Sequence, residues 1–262
     1  MIIDFHTHAR KGRGDLGDML EQMDRRGVDR AVVHPIDIAD PELGESSTEW
    51  VLTQTQRYPD RFIPFANLNP TEPGSPKRLI HYVRDYGCRG LKLHPPLHDF
   101  SLEDPAVAVI LHTAGELQVP VLIHTGPIFV RSARLRYGDA AAVDDLARAC
   151  PDTTIVLAHG DPFGDTAVLA GKHPNVYIDI SIILPRLAEV IPGLLKNTLE
   201  WISEGTQEGA DKVLFGSDAN PLRPDRLERT LHLVDTAGID PVTRDKILGG
   251  NAARLLALDP KD

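Results

Sequence analysis

Cysteine is scarce in this 262-residue chain, and its two cysteines, Cys88 and Cys150, lack the CxxC spacing of zinc and redox motifs. We therefore predict that both are reduced residues of the core. Long hydrophobic runs are also missing, because no window reaches the ~18 uninterrupted apolar residues that a membrane helix requires. These absences exclude a disulfide-stapled scaffold and a membrane-spanning helix.

Positive charge is in short supply as well. Lysine and arginine total 28 against 38 aspartates and glutamates, for a formal net charge of -10. This balance argues against a broad nucleic-acid surface, although a local basic pocket remains compatible with it. The N-terminus lacks a basic stretch followed by an apolar run and a cleavage site, so we expect a cytoplasmic protein with no membrane partner.

Eight short apolar runs rich in β-branched residues are what the chain does have. They recur at intervals of roughly thirty residues, the length of one strand-helix repeat. In chain order they are MIIDF, DRAVVH, RFIPFAN, RGLKLH, VPVLIH, TTIVLAH, NVYIDIS and KVLFGSD.

Segments with helical periodicity separate most of these runs. Leu16, Leu20 and Met23 share one face before Gly27, and Ser75 is the predicted N-cap of another helix. The segment 185–211 predicts one helix, or two broken near Pro192. Strands alternating with helices in this way indicate a parallel sheet covered by helices, and eight strands favour closure of the sheet. We predict an α/β protein with a single domain over residues 1–262, a (β/α)8 TIM barrel.

The first predicted strand ends in DFHTH. Residues i and i+2 of a strand point to the same side, so His6 and His8 would aim both imidazoles at one point. In a barrel, active sites form at the carboxyl ends of the strands. His124, His159 and Asp218 end the fifth, sixth and eighth predicted strands. His6, His8, His124 and Asp218 would surround one centre, with His159 beside it. Three imidazoles and one carboxylate suit Zn²⁺ or another divalent transition metal, which brings the pKa of a bound water to about 7.

These motifs together resemble the second amidohydrolase family of the amidohydrolase superfamily, the metal-dependent hydrolases similar to aminocarboxymuconate semialdehyde decarboxylase. The resemblance covers essentially the whole chain and keeps the order of the motifs. The motifs that carry it are DFHTH, GLKLHPP, LIHTG, LAHG, HPNVYIDIS, VLFGSDAN and GNAARLL.

The resemblance implies roles for the residues at the strand ends. His6, His8, His124 and Asp218 would be the metal ligands, and Asp218 would also accept the proton of the attacking water. His159 would hydrogen-bond that water or the substrate and shuttle protons. An unligated imidazole suits this role because it titrates near neutral pH.

Lys92, in GLKLHPP, leaves three alternatives open. By the resemblance, one metal ion is the favoured arrangement, with a free Lys92 offering its charge to an anionic substrate. A carboxylated Lys92 could instead bridge two ions, with His124 and His159 holding the second. In the third alternative, Lys92 only pairs with a neighbouring acid.

Residues near the predicted barrel mouth indicate the substrate. The loop after the fifth strand carries Arg131, and arginine offers bidentate recognition of a carboxylate. His94 and Asn220 are further contact candidates from their strand-end positions, with Lys92 for charge and Phe129 for an apolar wall. His34 and Ser181 are pocket candidates on position alone. The partner predicted from this set is a small carboxylate-bearing molecule.

Two chemistries fit this set of residues. The first is metal-dependent hydrolysis of a small ester, lactone or amide by an activated water, and the second is non-oxidative decarboxylation of a small unsaturated or aromatic acid. A phosphoesterase or nuclease is less favoured, because the fourth strand offers no acid and GSDAN no histidine. A catalytically silent binding barrel is a further alternative. Barrels of this family often pair, so a homodimer is compatible with the sequence.

Overall fold

The computed structural model describes residues 1–12, 14–38, 46–162, 164–206 and 209–258. Its strands pair in parallel in two sheets, of order β1-β2-β3 and β4-β5-β6-β7-β8-β9. The strands are β1 (Ile3–Thr7), β2 (Arg30–Val33), β3 (Phe62–Pro64), β4 (Ala66–Asn67), β5 (Leu91–Leu93), β6 (Val121–Ile123), β7 (Ile155–Leu157), β8 (Val176–Asp179) and β9 (Val213–Leu214).

Hydrogen bonds outside these strands join the two sheets into a closed barrel. The Phe65 N–H donates to Val33 O at 3.1 Å. The segments β3 and β4, on either side of Phe65, therefore form one interrupted strand of the barrel. We call each of the strands that close the barrel a stave. At the other seam, the Phe5 N–H donates to Phe215 O at 2.8 Å, and Thr7 bridges to Ala219. The nine segments are therefore eight staves, and the predicted TIM-barrel fold is confirmed.

The helices follow the strands in sequence, the last three after β9, and they cover the barrel. They are α1 (Leu16–Arg26), α2 (Thr48–Thr55), α3 (Ser75–Tyr86), α4 (Pro95–His98), α5 (Pro105–Glu116), α6 (Val143–Ala149), α7 (Thr166–Lys172), α8 (Ile183–Ala188), α9 (Leu194–Gly205), α10 (Asp225–Thr236), α11 (Pro241–Asp245) and α12 (Asn251–Leu255). No helix in the described ranges is both long and apolar enough to cross a membrane.

The helix boundaries follow the sequence with one correction. Asp15 and Gly27 cap α1, and the predicted break near Pro192 separates α8 from α9. The prediction that Ser75 caps α3 was wrong. Ser75 is the first helical residue, because its hydroxyl donates to the carbonyls of Asn69 and Glu72 instead of accepting from the helix.

Two apolar layers hold the barrel together. Alternating strand residues such as Phe5, Leu122 and Val156 fill the interior, while their neighbours, including Ile123 and Leu157, pack against the helices. Both cysteines are buried and free, as predicted.

One irregularity of β1 matters for the site. The pairing of β1 with β2 slips between Asp4 and Thr7, so that Phe5 and His6 together oppose Val32. Such a bulge redirects side chains, and bulges of this kind are frequent beside active sites. Here it lets Phe5 fill the barrel interior while His6, the next residue, reaches the cluster of imidazoles at the carboxyl end of the strands.

Candidate metal centre and its cavity

Three buried side chains converge where the first and last staves meet. The Nε2 atoms of His6 and His8 lie 3.2 Å apart, and the Oδ1 atom of Asp218 lies 2.9 Å from His8 Nε2 and 3.7 Å from His6 Nε2. Within the described ranges, this is one of two groups of three ligand atoms that lie within 4.8 Å of one another; the other is His6, His159 and Asp179. These buried triads could hold a metal ion.

The hydrogen bonds behind the two imidazoles determine which nitrogens carry protons. His6 Nδ1 lies 2.8 Å from Asp179 Oδ2, and His8 Nδ1 lies 2.8 Å from the carbonyl oxygen of His34. Both partners accept, so both Nδ1 atoms must donate. In the neutral imidazoles, the Nε2 atoms therefore present lone pairs to each other and to the Asp218 carboxylate. A fixed tautomer with a second partner on Nδ1 is the usual arrangement of a metal-binding histidine.

One cation at this point can satisfy all three facing lone pairs. Burial is the largest influence on His6 and His8 and lowers the pKa of both imidazoles, so a proton between them is disfavoured. A divalent metal ion supplies the positive charge without protonating an imidazole. The donor set and its tautomers thus fit such an ion.

Asp218 is held by the backbone and by one arginine. Its backbone lies in the left-handed region at φ 54°, and its N–H donates to His6 O at 2.7 Å. Arg226 Nη1 donates to both Asp218 Oδ2 and Asp218 O at 2.7 Å. Burial raises the pKa of Asp218, but its neighbours, among them the positively charged Arg226, outweigh burial, and the net shift is downward. The carboxylate is therefore ionised.

Asp179, at the end of β8, is a residue that the sequence reasoning missed. Its Oδ2 accepts from His6 Nδ1 at 2.8 Å. Its Oδ1 accepts from the Ser181 hydroxyl at 2.5 Å and from the backbone N–H groups of Ser181 and His159 at 2.9 and 3.1 Å. The missed signal was an acid inside the apolar run NVYIDIS, where a buried charge requires partners.

A chain of hydrogen bonds runs from Asp179 to His124. Ser181 donates to Asp179, so its oxygen accepts from His159 Nδ1 at 2.8 Å. The remaining lone pair of neutral His159, on Nε2, then accepts from His124 Nδ1 at 3.1 Å. His124 Nε2 is left as a lone pair that is buried and has no hydrogen-bond partner among the described residues. Burial lowers the pKa of His124 and His159, which favours these neutral forms.

Asp4 connects the first and last staves below the centre. Its carboxylate accepts from the Ser217 hydroxyl at 2.5 Å and from the backbone N–H groups of Ser217 and His6 at 2.9 and 3.2 Å. Burial raises its pKa to about 7. Since its partners are His6 itself and Ser217, which precedes Asp218, Asp4 fixes the backbone that carries two of the converging side chains.

Lys92 lies inside the same site. Its Nζ atom is 3.4 Å from His6 Nε2, and burial lowers its pKa to about 8. Among the described residues Lys92 forms no ion pair with an acid, and its role stays a prediction. His94 stacks on His124 with ring centroids 4.0 Å apart and an interplanar angle of 13°.

A cavity of about 600 Å³ opens above the centre, and its described lining includes all five residues of the predicted metal and proton-transfer set. His94, Phe129 and Asn220 line it as predicted, although Phe129 is 94% exposed. Arg131 is exposed and is not among the described lining residues, so its substrate contact stays a prediction. The lining arginines are Arg10, Arg186, Arg223 and Arg226.

His34 and Ser181, predicted as pocket residues, are not among the described lining residues of the cavity and instead hold other side chains in place. His34 Nε2 donates to Phe5 O at 2.8 Å, and its carbonyl orients His8, so His34 supports the imidazole pair from behind. Ser181 is fully buried and links Asp179 to His159. Arg226 was missed because it comes from helix α10, where nothing in the local pattern separates it from a surface arginine.

Comparison with solved structures places this fold among known barrels. The chain is similar to an uncharacterised TIM-barrel protein from Bordetella bronchiseptica (23% identity, 98% of each chain covered, TM-score 0.76). It is also similar to 2,6-dihydroxybenzoate decarboxylase from Rhizobium (17% identity, 98% of this chain and 99% of that one, TM-score 0.72). A third similar structure is a probable 2-pyrone-4,6-dicarboxylic acid hydrolase from Acinetobacter baumannii (17% identity, 98% and 99%, TM-score 0.67).

At these sequence identities the structural similarity shows the fold alone. No curated protein sequence matches the chain. The family evidence is a sequence match instead: the amidohydrolase family model matches residues 3–258, nearly the full length. The chain therefore belongs to the second amidohydrolase family of the amidohydrolase superfamily.

Proposed function

We propose that this protein is a metal-dependent hydrolase of a small carboxylate-bearing ester, lactone or amide. The observation that carries the proposal is the convergence of His6 Nε2, His8 Nε2 and Asp218 Oδ1, with tautomers that leave three lone pairs facing one point. This point opens to a cavity large enough for a small organic molecule. Such an arrangement is what a water-activating metal site needs.

His6, His8 and Asp218 would hold the ion. His124 belongs to neither described group of ligand atoms within 4.8 Å, but it lines the same cavity with a buried, unpartnered Nε2, and we propose it as the fourth donor. Three imidazoles and a carboxylate favour Zn²⁺ or another divalent transition metal, and we propose one ion. When bound, the ion supplies Lewis acidity, which polarises a carbonyl oxygen and acidifies a water.

Asp218 and His159 would move the protons. Asp218 is ionised, and its Oδ2 is fixed by Arg226, which leaves Oδ1 to accept the proton of the attacking water. His159 would take up the proton that Asp218 accepts from the water and pass it to the leaving group. A positive charge on His159 is stabilised through Ser181 by the Asp179 carboxylate, which keeps the ring oriented at the same time.

The cavity lining supports an anionic substrate. Its arginines lie beside an apolar wall that includes Pro127, Ile128 and Phe129. Two of the similar structures are named for carboxylates on six-membered rings, 2,6-dihydroxybenzoate and 2-pyrone-4,6-dicarboxylic acid. We take this as support for a compact acid with an apolar body, without transferring either substrate.

Decarboxylation of a small unsaturated or aromatic acid is the second candidate. The observation that favours it is Lys92, whose buried Nζ lies 3.4 Å from His6 Nε2 and can attract a carboxylate into the centre. Both reactions would use the same ligands. They are separated by products: hydrolysis consumes water and yields a new acid, whereas decarboxylation releases CO2.

A metal add-back experiment tests the proposal. The purified protein is stripped with a chelator and assayed on a panel of carboxylate-bearing lactones, esters, amides and unsaturated acids, with and without added Zn²⁺. We expect hydrolysis that depends on the metal ion and that returns on adding it. Turnover that is unchanged after stripping would contradict a metal-dependent enzyme, and CO2 release would replace the hydrolase by the lyase.

Two variants separate binding of the metal from proton transfer. We expect His159→Asn to keep its metal content within about twofold but to lose at least about a hundredfold in kcat, the usual contribution of a general acid or base. We expect His6→Ala to lose both. Metal content is measured by elemental analysis and kcat on the substrate found above. Equal loss of metal and activity in both variants would contradict this division of roles.

A further inference from the structure

The described lining of the cavity is strongly positive for a chain with a net charge of -10. It contains four arginines and one carboxylate, Asp218. Uncompensated positive charge at the mouth of a cavity attracts anionic ligands and raises their local concentration. An arginine can bind such a ligand most readily when it has no other ionic partner.

Three of the four arginines are already engaged. Arg226 donates to Asp218 Oδ2 at 2.7 Å, and Arg223 makes a bidentate pair with Asp225 at 3.0 and 3.1 Å. Arg10 has contacts of its own. Arg186 differs, because across residues 1–12, 14–38, 46–162, 164–206 and 209–258 it has no hydrogen bond or ion pair.

Arg186 is also well placed to contact a ligand that reaches the metal centre. It lies on α8, and its neighbours Ile182, Ile183 and Leu187 line the same cavity. The cavity lining thus contains two separate positive positions, the proposed metal centre and Arg186, together with apolar side chains. This pattern matches an anion with an apolar body and a charge at each end.

We propose that Arg186 forms a second anion subsite and that the substrate is a compact dicarboxylate, with one acidic group near the metal centre and the other paired with Arg186. The inference rests on the proposed function for the first group only. A guanidinium can hold the second carboxylate through two parallel N–H···O bonds, which gives selectivity for charge and for planar geometry.

Binding of matched ligands tests this subsite. Isophthalate and terephthalate are each compared with the mono-amide of the same shape, 3-carbamoylbenzoate and 4-carbamoylbenzoate, by calorimetric titration of the zinc-loaded protein at low salt. We expect the wild type to bind at least one dianion tenfold or more tightly than its mono-amide. In Arg186→Met that ratio should fall below about twofold, with the affinity for the mono-amide little changed.

Two further variants serve as controls. Arg186→Lys keeps the charge but not the bidentate geometry, so we expect an intermediate ratio. Arg229→Met removes an exposed arginine that pairs with Glu189 on the same side of the barrel and that is not among the described lining residues. It should keep the wild-type ratio, which separates a local contact from a general loss of positive charge.

Each outcome is decisive. A wild-type ratio below about threefold for both pairs, or an unchanged ratio in Arg186→Met, would overturn the subsite. Mono-amide binding that is the same with and without Zn²⁺ would contradict the proposed metal centre instead. In that case, the ratio in wild type and Arg186→Met would still decide the role of Arg186.

Discussion

Asp218→Asn is expected to lower turnover by at least about a thousandfold and to remove most of the bound metal. The variant replaces an ionised carboxylate, which faces His6 Nε2 and His8 Nε2, by a neutral amide that is a weak ligand and no base. Loss of a general base alone accounts for about 10²–10⁴ in rate, and loss of a ligand adds to it. The measurements are elemental analysis and kcat on the zinc-loaded protein.

The expected loss has a second cause in the surroundings of Asp218. Arg226 directs one guanidinium nitrogen at both Asp218 Oδ2 and Asp218 O, so the amide would lose its ionic partner and gain freedom to turn. The matched control is Asp235→Asn, which removes a surface carboxylate paired with Arg244. It should leave metal content and kcat within about twofold. Full metal content with near-normal turnover in Asp218→Asn would exclude Asp218 as both ligand and base.

The sequence was sufficient to predict the features of the fold that follow from its repeated strand-helix units. Eight apolar runs with helices between them predicted the closed barrel, and the closed barrel predicted that the ends of distant strands share one mouth. His6, His8, His124, His159 and Asp218 line a common cavity for that reason. A period of two along a strand was enough to pair His6 with His8, and both side chains do reach the centre.

What the sequence could not supply is the support behind these side chains. The bulge at Phe5 and His6 depends on pairing with β2, and no local pattern marks it. Arg226 and Arg186 both come from helices, α10 and α8. The arginine chosen from its position in the sequence, Arg131, is exposed and is not among the described lining residues. Side chains that reach a cavity from the covering helices are set by packing, which the order of residues does not show.

Asp179 is another supporting residue that the sequence did not reveal, and its replacement is expected to have the second large effect, on zinc binding. Four donors converge on its two oxygens: His6 Nδ1, the Ser181 hydroxyl, and the backbone N–H groups of His159 and Ser181. In Asp179→Asn only one oxygen remains to accept. If the amide nitrogen faces His6, the proton of His6 must move to Nε2, and the lone pair that faces Asp218 and His8 is lost. If it faces Ser181, it opposes two backbone donors and the hydroxyl.

We therefore expect Asp179→Asn to weaken zinc affinity by about 10–100-fold, the usual effect of removing the partner of a metal-binding histidine. The protein should also unfold at a lower temperature, because buried donors are left without acceptors. Zinc affinity is measured by competition with a chromophoric chelator, and stability by calorimetry.

Ser181→Ala is the matched comparison: it breaks the connection to His159 but leaves His6 paired with Asp179, so kcat should fall while zinc affinity stays within about threefold. If Asp179→Asn binds zinc as tightly as Ser181→Ala does, Asp179 does not set the tautomer of His6, and the three facing lone pairs on which the metal centre depends would need another explanation.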